Sequence, residues 1–383
     1  MIIKRSDIMR FVHMSDLHLG KRVGEFSMLE DQRYILGEIL KKVSAHSPDC
    51  VFISGDIYDK PVPPAEAVTM FDELLFKLSG MVKDVFIISG NHDSDERIAF
   101  GSRLFDRSGV HISPVYDGTL ARHTVSDEYG EVGVYLLPFI RPANIRHLFE
   151  DREINSYTDA VTAAIDAADI DYTKRNILLS HQFVTGGVTC DSEQLTVGGL
   201  ENVDACAYDG FDYVALGHLH GAQRISDTLR YCGTPLKYSF SESRHIKSLT
   251  IGELKNKGEL VIKTEPLIPM RDMREISGEF AQLTKGRSDD YLKVTLTDEV
   301  RVNDAYARLR NFYPNLIKID YADRRDNETD ITAHVRAREN DPAKIFASFF
   351  KNINGRDMTD TQAKTVHELI ERIWGENDET DQT

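Results

Sequence analysis

Five short polar clusters in this chain contain the residue types that bind metal ions and transfer protons. Each cluster directly follows an apolar, strand-like segment, and in chain order they are Asp16-Leu17-His18, Gly55-Asp56-Ile57-Tyr58-Asp59, Gly90-Asn91-His92-Asp93, Ser180-His181 and Gly217-His218-Leu219-His220. Carboxylate, imidazole and amide ligands together suit Mn²⁺, Fe²⁺ or Zn²⁺ better than Ca²⁺ or Mg²⁺ alone. The clusters therefore predict a metal site assembled from distant parts of the chain.

A site with two metal ions would give these clusters a hydrolytic chemistry. Two divalent ions about 3.5–4 Å apart stabilise the attacking and leaving oxygens of a phosphoryl displacement and generate hydroxide near neutral pH. One aspartate placed between the ions can bridge them. In the extended segments Asp16-Leu17-His18 and His218-Leu219-His220, alternate residues point to the same side, so both members of each pair can face one site.

The segments before the clusters indicate how distant residues can meet. They are short, rich in β-branched and aromatic residues, and end abruptly: Phe11-Val12-His13-Met14, Val51-Phe52-Ile53, Val85-Phe86-Ile87-Ile88, Ile177-Leu178-Leu179 and Tyr213-Val214-Ala215-Leu216. Such runs are typical of buried strands. Ligands of open α/β sheets collect beyond the carboxyl ends of the strands. Helical stripes at 34–40, 67–78 and 95–105 alternate with the first strands, which favours parallel pairing with helices outside.

The later part of the chain predicts further domains. Strand-like pieces recur at 229–233, 248–252 and 259–262, and we expect them to pair into a second sheet. Residues 9–268 are thus predicted to form one α/β domain with two sheets flanked by helices. A compact β-α-β pattern over 282–330 predicts a small separate domain.

Two short helices are predicted at the carboxyl terminus, over residues 341–375. The first carries Phe346 and Phe350 on one side, and Thr359 with Gln362 indicates a capping box at the start of the second. Helices this short cannot bury so much aromatic surface against each other. They are expected to dock on the body of the protein or to present an apolar face to a partner.

Composition limits the class of protein. The net charge of −16 argues against simple nucleic-acid binding by a basic surface, although two divalent ions would add positive charge at the site. The four cysteines form no C-x-x-C pair and fit a reducing cytoplasm. Neither a membrane helix nor a signal peptide is expected. Met9 stands almost directly before the first strand, so residues 1–8 fit an upstream extension as well as a native start.

In residue type and order, the five clusters resemble the motifs of the calcineurin-like metallophosphoesterases. The resemblance implies a two-sheet metallophosphoesterase sandwich that binds two divalent ions. It implies seven metal ligands in two sets around one bridging aspartate: Asp16, His18 and His220 for one ion, Asn91, His181 and His218 for the other, and Asp56 between them.

The same resemblance implies roles for three more residues. His92 would sit over the phosphate and protonate the leaving oxygen or stabilise developing charge. Asp93 would orient His92 through its second ring nitrogen. Asp59 takes a place where archaeal relatives carry His, and it is expected beside the ligands or on the outer rim of the site.

Other features resemble the SbcD family, the nuclease subunits of bacterial SbcC–SbcD complexes. They are Pro138-Phe139-Ile140, the β-α-β module ending in Asn315-Leu316-Ile317-Lys318-Ile319, and the C-terminal helix pair. The resemblance implies a Mn²⁺-dependent nuclease, with Fe²⁺ or Mg²⁺ as other options, that acts in DNA repair and recombination. It implies 3′→5′ exonuclease action on double-stranded DNA and endonuclease action on single strands or hairpins.

The SbcD resemblance also implies partners. The C-terminal helices would bind the coiled coil of an SbcC-type ATPase in a heterotetramer, with ATP hydrolysis gating the nuclease. The small domain would cap the nuclease domain and help orient DNA. The helix carrying Phe71 and Leu75, with the one near Phe100 and Leu104, would form a homodimer interface.

Each cluster alone is weak evidence, because Asp-x-His and Gly-Asn-His-Asp are common turn sequences. Their joint occurrence in order, each after a strand, is what indicates a site. Two other functions stay open from the residues. One is a small-molecule or cyclic-nucleotide phosphodiesterase, which would make no use of residues 282–383. The other is a metal-stabilised scaffold that holds the ATPase dimer without cutting DNA.

Overall fold

The computed structural model describes residues 8–193, 202–322, 346–347, 350–351, 356–359 and 361–366. The strands are β1 Met9–Met14, β2 Arg22–Val23, β3 Phe26–Ser27, β4 Cys50–Ser54, β5 Asp84–Ile88, β6 Val110–Ile112, β7 Ala121–Asp127, β8 Gly130–Leu137, β9 Arg175–His181, β10 Phe183–Val184, β11 Asn202–Val203, β12 Tyr213–Gly217, β13 Gln223–Arg224, β14 Leu229–Tyr231, β15 Ser248–Leu254, β16 Leu260–Pro266, β17 Met273–Gly278, β18 Tyr291–Leu296 and β19 Leu316–Tyr321. The helices are α1 Leu29–His46, α2 Ala65–Ser79, α3 Asp95–Ile98, α4 Ser102–Phe105, α5 Pro142–Ile145, α6 Tyr157–Asp166, α7 Phe280–Leu283 and α8 Ala305–Leu309.

Two six-stranded sheets form the body of the protein. The first has the order β16-β15-β1-β4-β5-β6, and the second has the order β13-β14-β12-β9-β8-β7. In both sheets the central strands are parallel. Antiparallel strands complete both edges of the second sheet but only the β15–β16 edge of the first, where the other edge strand, β6, is parallel to β5. The predicted α/β class with two sheets is confirmed.

Three apolar layers hold this sandwich together. Between the sheets, Phe11, Phe52 and Phe86 of the first sheet pack with Leu179 and Tyr213 of the second. Helices α1 and α2 cover the outer face of the first sheet, and α6 covers that of the second. Because both faces of the central strands are buried, their sequences are almost continuously apolar.

Two local predictions are wrong. Strands β15 and β16 do not belong to the second sheet, because β15 pairs antiparallel with β1 and β16 pairs with β15. The single helix predicted over 95–105 is two short helices, α3 and α4. They are separated at Gly101, whose φ of 76° is left-handed and ends a right-handed helix.

A small third sheet follows the sandwich, with the order β17-β18-β19 and all strands parallel. Its first strand begins at Met273, nine residues before the start predicted for the small domain. The hydroxyl group of Tyr291 on β18 donates to the buried carboxylate of Asp31 on α1 at 2.7 Å. Arg271 contacts the same carboxylate at 2.9 Å. These bonds attach the small sheet to the first helix of the sandwich.

The chain divides into two compact units, Met1–Tyr321 and Ala322–Thr383. In the second unit, residues 361–366 are helical. The predicted capping box is present there, since the backbone N–H of Thr359 donates to Oε1 of Gln362 at 3.0 Å and the N–H of Gln362 donates back to Oγ1 of Thr359 at 3.4 Å. The predicted helix segments 341–345 and 367–375, and the end of the small domain at 323–330, lie outside the described residues.

Candidate metal centre

All seven predicted ligands converge where the two sheets meet. Three clusters follow the carboxyl ends of β1, β4 and β5 in the first sheet, and two lie at the ends of β9 and β12 in the second. Six of the seven side chains are buried, and Asn91 is half-buried. The site therefore exists only while both sheets are packed together.

The backbone takes an uncommon conformation at four of these ligands. Asp16, His18, Asp56 and His218 have φ values of 54°, 44°, 48° and 106°, in the left-handed region that residues other than glycine rarely adopt. Such strain persists only where surrounding contacts enforce it, and it concentrates at functional sites. At His18 the enforcing contact is visible: the amide of Gln32 donates to its carbonyl oxygen at 2.8 Å.

Three ligands and the shared aspartate form what we call the Asp16 group: Asp16, His18, His220 and Asp56. The Nε2 atoms of His18 and His220 lie 3.1 Å apart. Oδ2 of Asp56 lies 3.6 Å from Nε2 of His18. Carboxylate atoms of Asp16 and Asp56 and a ring nitrogen of His18 lie within 4.8 Å of one another, which is close enough to surround one ion.

The other three ligands, with Asp56 again, form the Asn91 group: Asn91, His181, His218 and Asp56. Oδ1 of Asn91 lies 3.0 Å from Nε2 of His181 and 3.0 Å from Nδ1 of His218. Oδ2 of Asp56 lies 3.5 Å from Nε2 of His181. Asp56 thus lies close to a histidine of each group, as a bridging ligand must.

The hydrogen bonds of His181 favour a cation in the Asn91 group. Its Nδ1 lies 2.8 Å from the carbonyl oxygen of Ser54, which only accepts, so Nδ1 carries the hydrogen. In the neutral ring, Nε2 then points a lone pair at two acceptor oxygens. Burial disfavours a charged ring, but the Asp56 carboxylate outweighs it and raises the pKa of His181 to about 9. A positive charge is needed at this point, and a metal ion can supply it.

Close packing around Asp56 explains why two positions of the motifs are glycine. A Cβ atom added to Gly90 would overlap the Asp56 carboxylate, and one added to Gly217 would overlap the carbonyl oxygen of Ser54. Both positions therefore exclude every side chain. The carboxylate of Asp16 is fixed in turn by the hydroxyl group of Ser15 and by the N–H of His218 at 3.0 Å.

His92 and Asp59 lie at the edge of the Asp16 group. The rings of His92 and His18 meet edge to face with centroids 4.8 Å apart. Oδ1 of Asp59 lies 4.0 Å from Nδ1 of His18, and the same oxygen accepts from Lys21 at 2.7 Å. The structure thus brings Asp59 beside a predicted ligand and pairs it with a lysine.

The predicted contact between Asp93 and His92 is wrong. The Asp93 carboxylate accepts backbone N–H groups of Ile57, Tyr58 and Gly90 at 3.1, 2.9 and 2.9 Å. Nδ1 of His92 instead lies 3.0 Å from the backbone carbonyl oxygen of Asp59. Burial and then the charge of Asp56 raise the pKa of Asp93 to about 7. Asp93 therefore joins the loops after β4 and β5 rather than orienting His92.

Sequence reasoning missed a buried chain of polar groups behind His220. The hydroxyl group of Ser192 lies 2.7 Å from Nδ1 of His220 and donates to Oε1 of Glu242 at 2.5 Å. Lys247 donates to the other Glu242 oxygen at 2.5 Å. Because the single hydroxyl hydrogen of Ser192 goes to Glu242, the Ser192 oxygen accepts from Nδ1–H of His220. The lone pair on Nε2 of His220 therefore faces His18. No motif marks these residues, because they lie in loops and turns.

Among the described residues, no helix is long and apolar enough to cross a membrane.

Comparison with known proteins agrees with this geometry. Residues 9–222 match the family model of the calcineurin-like phosphoesterases, and residues 269–354 match the model described as the type 5 capsule protein repressor C-terminal domain. The SbcD subunit of the SbcCD nuclease of Staphylococcus epidermidis is 31% identical over 379 residues, which cover 95% of this chain and 99% of that protein.

A crystal structure of a dimetal phosphatase from Danio rerio is also similar, with a TM-score of 0.38 and 12% identity over 69% of this chain and 98% of the other. That likeness is too low to support a conclusion. The family match and the full-length relative are decisive: the chain belongs to the calcineurin-like phosphoesterase family and, within it, to the SbcD family of nuclease subunits.

Proposed function

We propose that this chain is the DNA-cutting subunit of an SbcCD-type complex and hydrolyses phosphodiester bonds with the help of two divalent ions. The observation that carries the proposal is the position of Asp56, 3.6 Å from His18 and 3.5 Å from His181, between two groups of buried ligands. The full-length similarity to the SbcD subunit of an SbcCD nuclease supports DNA as the substrate.

In this proposal the Asp16 group would hold one ion and the Asn91 group the other, with Asp56 as the ligand common to both. When bound, such ions stabilise the attacking and leaving oxygens of a phosphodiester displacement and activate water near neutral pH. Imidazole, carboxylate and amide oxygen ligands without cysteine favour Mn²⁺, with Fe²⁺ or Mg²⁺ as other candidates.

The residues of the chain itself orient the reacting groups. Nδ1 of His92 donates to the carbonyl oxygen of Asp59, so Nε2 faces the site. In the imidazolium form, Nε2–H can protonate the leaving oxygen or stabilise charge on the phosphate. Asp93 holds the loops after β4 and β5 in register. Ser192 and Glu242 set the ring orientation of His220.

Each part of the chain would have its own task in cutting DNA or binding partner proteins. Residues 9–268 would be the nuclease domain, 282–330 the capping domain that orients DNA, and 341–375 the helices that bind the coiled coil of an SbcC-type ATPase. The assembly would be a heterotetramer in the cytoplasm. Its activities would be 3′→5′ exonuclease cleavage of double strands and endonuclease cleavage of single strands and hairpins, gated by ATP.

A nuclease assay tests this proposal. Linear and hairpin DNA are incubated with Mn²⁺ and the chain, alone and with an SbcC-type ATPase plus ATP. We expect cleavage of both DNA forms, and its loss in Asp56→Asn. Hydrolysis of a generic phosphodiester dye without cleavage of either DNA would favour a small-molecule phosphodiesterase. Absence of both activities from a protein that binds two ions would favour a scaffold.

A further inference from the structure

A second cluster of ligand side chains lies apart from the candidate metal centre. We propose that His111, His123 and Asp106 form a zinc site at the edge of the sandwich, with Asp84 as the carboxylate that orients His111. His111 lies on β6 and His123 on β7, the edge strands of the first and second sheets. Asp106 lies in the turn before β6, and Asp84 begins β5.

Three potential ligand atoms face one another in this cluster. Nδ1 of His111 lies 2.6 Å from Oδ1 of Asp106, and Nδ1 of His123 lies 3.7 Å from the same oxygen. The two rings are 4.2 Å apart between centroids. One ligand atom from each of the three residues lies within 4.8 Å of the others, which is the spacing that ligands of one ion require.

The hydrogen bonds of His111 indicate that a positive charge belongs between these atoms. Its Nε2 lies 3.1 Å from Oδ1 of Asp84, while its Nδ1 faces Asp106. Both carboxylates only accept, and a neutral imidazole has a single N–H to donate. One of the two contacts therefore needs either a second proton or a cation.

The arrangement of Asp84 favours the cation. If Nε2–H donates to Asp84, the lone pair on Nδ1 points to the space shared with Asp106 and His123. A carboxylate that orients a ligand histidine through its other ring nitrogen is the usual support of protein-bound metal.

The rings are also held in place before any ion binds. Phe86 stacks on His111 with centroids 4.8 Å apart and the planes inclined by 24°. The His111 and His123 side chains are 13% and 24% exposed, whereas that of Asp106 is 52% exposed. The open side of the cluster is therefore the Asp106 side, where water can complete the coordination.

The types of ligand in the cluster favour zinc over calcium and magnesium. Two imidazole nitrogens and one carboxylate oxygen, with a place for water, match four-coordinate Zn²⁺. Ca²⁺ and Mg²⁺ require more oxygen ligands than the cluster offers. Because the ligands come from both sheets, the ion would join the sandwich across its edge, and its effect would be on stability rather than on catalysis.

Zinc binding to the full chain tests the site. The protein is freed of metal with a chelator, and zinc bound at equilibrium is measured per chain in the wild type, in His123→Ala, in Asp106→Ala and in the control His147→Ala. His147 is exposed and lies in a short turn outside the cluster. All four proteins keep the candidate metal centre, so zinc bound there adds equally to the zinc content of each.

We expect the wild type and His147→Ala to bind one more zinc ion per chain than His123→Ala and Asp106→Ala. Added zinc should also raise the midpoint of thermal unfolding more in the first two proteins. Asp106 is exposed enough for its variant to fold even if His123→Ala does not. Equal zinc content in the wild type and Asp106→Ala would overturn the proposal and assign the charge to a proton on His111.

Discussion

Nδ1 of His92 lies 3.0 Å from the backbone carbonyl oxygen of Asp59. Because a carbonyl oxygen only accepts, Nδ1 carries the hydrogen, and Nε2 is the atom that faces the site. Nε2 lies 3.9 Å from Oδ2 of Asp56. The orientation of His92 thus depends on the path of the main chain after β4 and not on a neighbouring side chain.

His92→Ala should lower kcat for DNA cleavage about 10²–10⁴-fold, the usual contribution of general acid–base catalysis. It should leave two ions bound per chain, since His92 is not a proposed ligand. Metal analysis and single-turnover kinetics on the same preparation check both statements. Loss of one ion from the variant would instead make His92 a ligand.

Asp59→Ala should have a much smaller effect, less than about tenfold on kcat. The variant keeps the backbone carbonyl that holds His92, and it removes the side-chain pair with Lys21 and the 4.0 Å contact with Nδ1 of His18. Asp16→Ala is the matched comparison, because it removes a proposed ligand and should abolish cleavage. If Asp59→Ala loses an ion as Asp16→Ala does, Asp59 is a ligand and the assignment here fails.

Ser192→Ala should weaken the binding of the ion held by His220 about 10–100-fold, as loss of a group that orients a ligand does. It removes the hydroxyl group between His220 and Glu242 without leaving a charge unpaired. Metal titration measures the change, and thermal unfolding should be almost unaffected. Unaltered affinity would mean that Ser192 does not position His220.

Glu242→Ala serves as the contrasting variant. It leaves Lys247 buried without its carboxylate partner, which costs about 3–5 kcal/mol of folding stability. We therefore expect this variant to lose stability as well as metal affinity, whereas Ser192→Ala loses only affinity.

The structure narrows the surface that could form the homodimer implied by the SbcD resemblance. Phe71 on α2 packs against Tyr58 inside the protein, whereas Phe76 and Phe100 are 78% and 82% exposed. Phe76→Asp with Phe100→Asp should therefore give a monomer by analytical ultracentrifugation, because a buried interface does not tolerate unpaired charge. Ile246→Asp is the control, since Ile246 is 79% exposed on another part of the chain. A dimer that persists in the double variant would exclude this surface.

Stability in acid should depend on the buried pair of Asp127 and Arg175, which bond at 2.9 and 2.5 Å. Burial opposes ionisation of Asp127, but the hydrogen bonds and charge of Arg175 outweigh it and lower the pKa of Asp127. A carboxyl group with a lowered pKa stabilises the fold above its unfolded value of about 3.9. That stability is lost as the pH falls through the lower, folded value.

Urea unfolding of the wild type and Asp127→Asn between pH 3 and pH 7 tests this pair. At pH 7 the variant should be less stable by about 3 kcal/mol, since the buried charge of Arg175 loses its carboxylate partner. Its stability should fall less steeply than that of the wild type below about pH 4. Parallel curves would show that Asp127 does not control stability in acid.

The sequence predicted which side chains converge better than it predicted how the strands pair. Asp16 and His220 were both expected at the site because each follows a strand, where ligands of α/β sheets collect, and the family resemblance grouped them although their strands belong to different sheets. The partner of β1 could not be predicted, because β15 alternates apolar Leu249 and Ile251 with small residues, a pattern that fits either sheet equally well. The orientation of Asp93 was missed for a similar reason: a carboxylate that accepts three backbone N–H groups has no signature in residue type.

The order of strands in the first sheet also determines when the proposed ligands can come together during synthesis of the chain. β1 is made long before its neighbour β15, which spans Ser248–Leu254, and the last proposed ligand is His220. A growing chain therefore contains Asp16 and His18 long before it can close the ion-binding site. Under the proposed function, a fragment that ends before His220 would hold no complete two-ion centre and would not cut DNA.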